Sequence, residues 1–140
     1  MRRMTSQDWL AEFLRAHGGV AGTVHRVVAP DLMELDAAVN IPPPVQAATK
    51  QIPVGKGMAG IAMAEDRAVS TCNLRDDQTG VVKSGARAVG AGAAVAFPVH
   101  DAAGNVRAVI GIAWKEEREL GTDELRAIQA AGEAMPGSAW

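Results

Sequence analysis

The sequence predicts an α+β domain built on an antiparallel sheet, and three observations carry that prediction. β-rich segments come in consecutive pairs joined by turns. Helical stretches with one apolar side stand at both ends of the chain. The last strand sets Val109 beside Ile110, so apolar residues point to both sheet faces and both faces are expected to be covered.

The first element is read in "TSQDWLAEFLRAHGG". Thr5 or Ser6 can cap a helix, Asp8 suits its positive end, and Trp9, Leu10, Phe13 and Leu14 share one side before Gly18 and Gly19 stop it. Residues 20–29 read as a strand, Pro30-Asp31 as a turn, and Met33, Leu35, Ala37 and Val39 as the inward side of a second strand. Three prolines then exclude a strand interior, and residues 45–51 are expected to form a short helix. "GMAGIAMAED" reads as another short helix and "RAVSTCNL" as a short strand. Residues 75–92 are polar and glycine-rich without a period, longer than an ordinary connection. "AAVAFPVHDAAGNVRAVIGIAWK" is a hairpin turning near residues 101–105. In "GTDELRAIQAAGEAMPG", Thr122 is expected to cap a helix whose Leu125, Ile128, Ala131 and Met135 share a face.

Length and composition limit what such a domain does. The 140 residues fit one domain: a helical segment 1–18, a core 20–135 and a tail 136–140. Apolar residues at 48% and charged residues at 21% are ordinary for a globular chain. The formal charge of −2, the scattered bases, the absence of Tyr and the two Phe argue against nucleic acid and anionic membranes as partners. No run is long enough to span a bilayer, no signal peptide follows "MRRMTSQDWL", and Cys72 stands alone, which together lead to a cytoplasmic expectation.

The chemical motifs depart from the spacings their chemistry needs. "IPVGKGMAGIAM" suggests a phosphate loop, but Gly57 follows Lys56 where Ser or Thr is needed, and Lys50 stands where the first glycine belongs. Gly90 and Gly92 lead into a strand and meet Val95 at the third small position of a dinucleotide fingerprint. Aligning Gly80 to a calcium loop puts Arg75 and Ala86 at ligand positions. His17, His25 and His100 lack metal spacing: His17 suits a helix end, His25 a half-buried strand, and His100 a solvated strand end beside Asp101. Cys72 is a candidate nucleophile only with a base nearby, and otherwise a small buried residue.

The order of these stretches resembles the GAF domain family from about residue 20 to residue 135. "LMELDAAVN" is similar to the family's second strand, and "IPVGKGMAGIAMAEDRAVSTCNL" to its glycine signature. "AAVAFPVHDAAGNVRAVIGIAWK" is similar to its hairpin, and "RELGTDELRAIQAAGEAM" to its closing helix. The resemblance implies five strands in the order 2-1-5-4-3. The terminal helices would lie on one face; the short helices and the long loop would lie on the other and enclose a small-molecule pocket. One branch of the family reduces free methionine sulfoxide with several cysteines, where this chain has Cys72 alone. Bilin-attaching branches place a His beside the Cys, where Asn73 stands here, and no NKxD-type element of cyclic-nucleotide binders is found.

The function expected is a sensor module holding a small molecule between the sheet and residues 73–92. Asn73, Arg75, Asp76, Asp77, Arg87 and Phe97 are its candidate contacts, and the arginines suit a carboxylate or phosphate. One alternative is a ligand-free module that dimerises through Trp9, Leu10, Phe13 and Leu14. Another is redox chemistry at Cys72, disfavoured by the missing second thiol. No cofactor is identified by these features, and a non-catalytic module is expected over an enzyme.

Overall fold

Of the two candidate caps for the first helix, Thr5 is the one used: its hydroxyl accepts the Asp8 N–H at 3.0 Å. Helix α1 then runs over Ser6–His17 and ends where Gly18, at φ 71°, returns its N–H to the Leu14 carbonyl. A computed structural model describes residues 4–71, 92–117 and 119–136 of the chain. Its remaining elements are β1 (Ala21–Ala29), β2 (Leu32–Val39), α2 (Pro43–Ala48), β3 (Gln51–Pro53), α3 (Gly57–Glu65), β4 (Val69–Thr71), β5 (Ala93–His100), β6 (Val106–Trp114) and α4 (Thr122–Glu133).

These strands form one antiparallel sheet in the order β3-β2-β1-β6-β5-β4. The five strands expected from sequence keep their expected order; β3 is an addition at the edge, with Ile52 opposite Met33. The short helix before it also begins and ends earlier than residues 45–51. Pro43 and Pro44 occupy its first turn, where no N–H is required, and the Thr49 N–H and hydroxyl both close on the Val45 carbonyl at 2.9 and 2.8 Å. At α4 the capping position falls to Gly121, whose carbonyl accepts the Leu125 N–H at 2.9 Å, and Thr122 is the first helical residue.

A bulge in β2 revises the expected alternation. Val24 faces Ala37 and His25 faces Leu35, so Asp36 is an extra residue. Because strand side chains alternate, one inserted residue exchanges the faces. Ala37 and Val39 pack with α1, whereas Met33 packs with α3 on the other side.

The two faces are filled differently. On one, Leu10, Phe13, Leu14, Val24, Phe97, Ile110, Ile112, Trp114 and Ile128 pack together beneath α1 and α4. Fully burying side chains of this size stabilises by about 1.5–3 kcal/mol each. Gly132 lets α4 settle here, since a Cβ at that position would run into the Phe97 ring. On the other face Met33, Ala62, Val69, Ala96 and Val109 pack beneath α3. The expectation drawn from neighbouring Val109 and Ile110 therefore holds: both are buried, on opposite sides.

Side-chain bonds fasten the helices to the sheet. The Gln7 amide donates to the Ala38 carbonyl at 2.6 Å and accepts the Ala38 N–H at 3.1 Å, pairing a part of β2 that β3 does not reach. Arg107 donates to the His100 carbonyl at 2.9 Å and the Met135 carbonyl at 2.7 Å, holding the end of α4 to the last hairpin. His100 was expected to be solvated beside Asp101. Instead its Nδ1 lies 2.6 Å from Glu133 Oε2 on α4 and its Nε2 lies 2.6 Å from Asp66 Oδ1 after α3. Glu133 first, and Asp66 with it, raise the pKa of the ring. One imidazole thus bonds segments that lie on opposite faces of the sheet.

Candidate functional site

The side chains that make a site possible here are the small ones. On the α3 face, adjacent strands present Ala21 and Thr23 from β1, Gly111 and Ala113 from β6, and Ala94 and Ala96 from β5. The same strands turn Val24, Ile110, Ile112, Val95 and Phe97 to the other face. Alternation in these strands is of size as much as polarity. The small floor leaves a cavity of about 160 Å³ between the sheet and the chain from Ile41 to Ala59. Ile41, Val45 and Ile52 line one side; Gly57, Met58 and Ala59, at the start of α3, line the other.

The glycine-rich stretch positions this wall. Gly55 and Gly57 have φ values of +85° and +68°, a region that side chains disfavour, and they turn the chain from β3 into α3. A Cβ on Gly60 would stand 2.7 Å from the Pro53 carbonyl oxygen. Lys56 is exposed beside the cavity. The three glycines thus serve a turn and a close approach, as expected once the phosphate-loop spacing failed.

His25 is the polar group of this lining that burial makes informative. It is 3% exposed rather than half-buried, and its Nε2 lies 2.9 Å from the carbonyl oxygen of Thr49, the capping residue after α2. A carbonyl only accepts, so Nε2 carries the hydrogen and Nδ1 keeps a lone pair. That Nδ1 is buried without a hydrogen-bond partner. Loss of water lowers the ring's pKa, against the opposing effect of the Thr49 bond, so the neutral form is favoured. The cavity therefore has a mainly apolar lining to which His25, Thr23 and Thr49 contribute.

Of the ligand contacts expected from sequence, Phe97 alone is among the described residues. Asn73, Arg75, Asp76, Asp77, Arg87 and the candidate nucleophile Cys72 lie outside the described residues. Phe97 is buried on the opposite face, its ring 6.0 Å from that of Phe13, and does not line the cavity. Its position in β5 puts it in register with Val95 and Val99 rather than with Ala94 and Ala96. Of the four apolar residues proposed for dimerisation, Leu10, Phe13 and Leu14 are consumed within the core. Trp9 keeps partial exposure, stacked on Phe13 at 4.8 Å. Sequence reasoning missed His25 and the small-residue floor; the signal for the latter was present in "AAVAF" and "VIGIAW". Among the described residues, no helix is long and apolar enough to cross a membrane.

Comparison with known proteins agrees with this architecture. A family profile described as GAF domain matches residues 6–135. The chain is similar to the GAF domain region of a protein from Geobacter sulfurreducens, at 9% identity and a TM-score of 0.75, covering 92% of this chain and 86% of that one. It is similar to the GAF domain of an Acinetobacter phosphoenolpyruvate-protein phosphotransferase, at 11% identity and a TM-score of 0.70, with 93% and 78% covered. It is similar also to a type II free methionine-R-sulfoxide reductase from Thermoplasma acidophilum, at 11% identity and a TM-score of 0.72, with 92% and 85% covered. No curated protein matches the chain.

Proposed function

The chain belongs to the GAF domain family, and on that premise we propose that it is a sensor module whose ligand occupies the cavity on the α3 face. The observation that supports this reading is the cavity itself, about 160 Å³ over a floor of alanine and glycine. Larger side chains would close such a space, and small-molecule sites are mainly apolar with few polar groups. In this proposal the chain from Ile41 to Ala59 bounds the ligand on one side; residues 73–91, expected from sequence to contact it, lie outside the described residues. Signalling would pass to a partner or a second copy, with Trp9 offering the surface that Leu10, Phe13 and Leu14 do not. The likeness to the reductase carries the fold alone at 11% identity.

Thermal unfolding with a panel of small neutral compounds tests the reading. A ligand at about one hundred times its dissociation constant stabilises by about 2.7 kcal/mol, which raises the midpoint by roughly 5–10 °C. The shift should vanish in Ala94→Leu, which fills the floor. An equal shift in that variant would place the binding elsewhere, and no shift with any compound would remove the proposal.

A further inference from the structure

We propose that His100 is a one-sided latch: on losing a proton its ring releases Asp66, and with it the last turn of α3, while it keeps Glu133 and α4. The inference stands whether or not the cavity holds a ligand. Both ring nitrogens lie 2.6 Å from a carboxylate oxygen, Nδ1 from Glu133 and Nε2 from Asp66. A carboxylate only accepts, so both bonds need an imidazolium, which has two N–H groups. The neutral ring has one. On deprotonation one nitrogen turns a lone pair toward a carboxylate, and that side of the bridge fails.

Glu133 is the side that stays. Its Oε1 also accepts the His100 backbone N–H at 2.8 Å, a bond indifferent to the charge of the ring, which keeps the carboxylate against Nδ1. The end of α4 is held besides by Arg107, which donates to the Met135 carbonyl at 2.7 Å. Asp66 makes no second side-chain bond among the described residues, and at 51% exposure its carboxylate is readily taken by water. The neutral ring therefore keeps its hydrogen on Nδ1. The other charges around the ring are engaged elsewhere. Arg107 of β6 bonds the His100 carbonyl at 2.9 Å, Asp101 accepts the Ala103 and Asn105 N–H groups, and Arg67 pairs with Glu65 at 2.6 Å. Glu133 first, then Asp66, raise the pKa of the ring, so the latch is closed below the free value of about 6.5 and opens as pH rises through the folded value. Gly57, Met58 and Ala59 of α3 line the cavity, so the proton acts on the helix that bounds it.

Ring ¹⁵N resonances and amide hydrogen exchange on the full chain, followed from about pH 5.5 through the midpoint of the His100 ring, test the latch. Exchange is read as protection relative to the free-peptide rate at each pH. Protection is expected to fall about fivefold at residues 63–66 above that midpoint, the most an exposed charge pair commonly contributes, and to hold at residues 130–133. The neutral ring should carry its hydrogen on Nδ1. A hydrogen on Nε2, equal loss in both helices, or protection at residues 63–66 that ignores the midpoint would each overturn the proposal. Asp66→Asn separates the latch from a general effect of pH. Asparagine accepts the left-handed backbone of this position, φ 51°, and its amide can donate to a bare Nε2 or accept from Nε2–H. The variant should therefore lose the pH dependence at residues 63–66; a dependence as large as in wild type would overturn the latch.

Discussion

Two histidines show how strongly a single residue depends on its surroundings. His100 donates to two carboxylates, and its pKa is raised; the bonding is strongest below the free value of about 6.5 and is lost as pH rises through the folded value. His25 has a lowered pKa, so the unfolded chain takes up the proton first and the fold loses stability as pH falls from about 6.5 toward the folded value. Urea midpoints should therefore differ more between wild type and His100→Gln at pH 5.5 than at pH 8.5. A difference independent of pH would contradict the carboxylate bridge. Gly132 gives a second residue-scale prediction. Gly132→Ala directs a methyl into the Phe97 ring and should cost about 1–3 kcal/mol by overpacking. Adding Phe97→Leu should recover part of that loss; simple additivity in chemical denaturation would show that the two do not meet.

At the scale of elements, α1 is held by more than its apolar face. Leu10, Phe13 and Leu14 supply burial, while Gln7 occupies both backbone groups of Ala38. Gln7→Ala removes two exposed hydrogen bonds and should cost about 1 kcal/mol in unfolding free energy. An unchanged urea midpoint would reduce that pair to a surface contact. The β2 bulge makes a sharper prediction. Deleting Asp36 would leave Met33 and Ala37 without the residue that sends them to opposite faces. The deletion should destabilise far more than Asp36→Ala, whose side chain is exposed and expected to matter within about 0.5 kcal/mol. Similar stability of the two variants would mean that the strand re-registers without penalty.

For the whole molecule, the path from sequence to fold was more direct than the path to site. The order of helices and hairpins followed from capping residues, turn residues and strand composition. Coverage of both sheet faces followed from Val109 and Ile110. The bulge was hidden because Met33, Leu35, Ala37 and Val39 alternate perfectly as letters, and only pairing with β1 reveals the extra residue. β3 was hidden because Gln51, Ile52 and Pro53 lie between a proline-rich helix and a glycine-rich turn and gain strand character only by meeting β2. Phe97 was assigned to the ligand by its position after the glycine-rich stretch, yet register turns it to the helices. His25 escaped notice because burial and the Thr49 carbonyl, both tertiary facts, give it significance.

The strands at the two margins carry a consequence for behaviour in a crowded solution. β3 and β4 are three residues each, and β3 includes Pro53, which offers no amide hydrogen. The more apolar strands β1 and β6 are interior with partners on both sides, whereas β4 covers β5 only over Ala94–Ala96 and β3 covers β2 only over residues 32–34. A growing fibril needs an extended row of free backbone groups to copy, and β3 and β4 themselves offer three residues each. The two described edge strands are therefore poor templates for adding strands, and a fibril that grew from β1 or β6 would require first stripping a margin away.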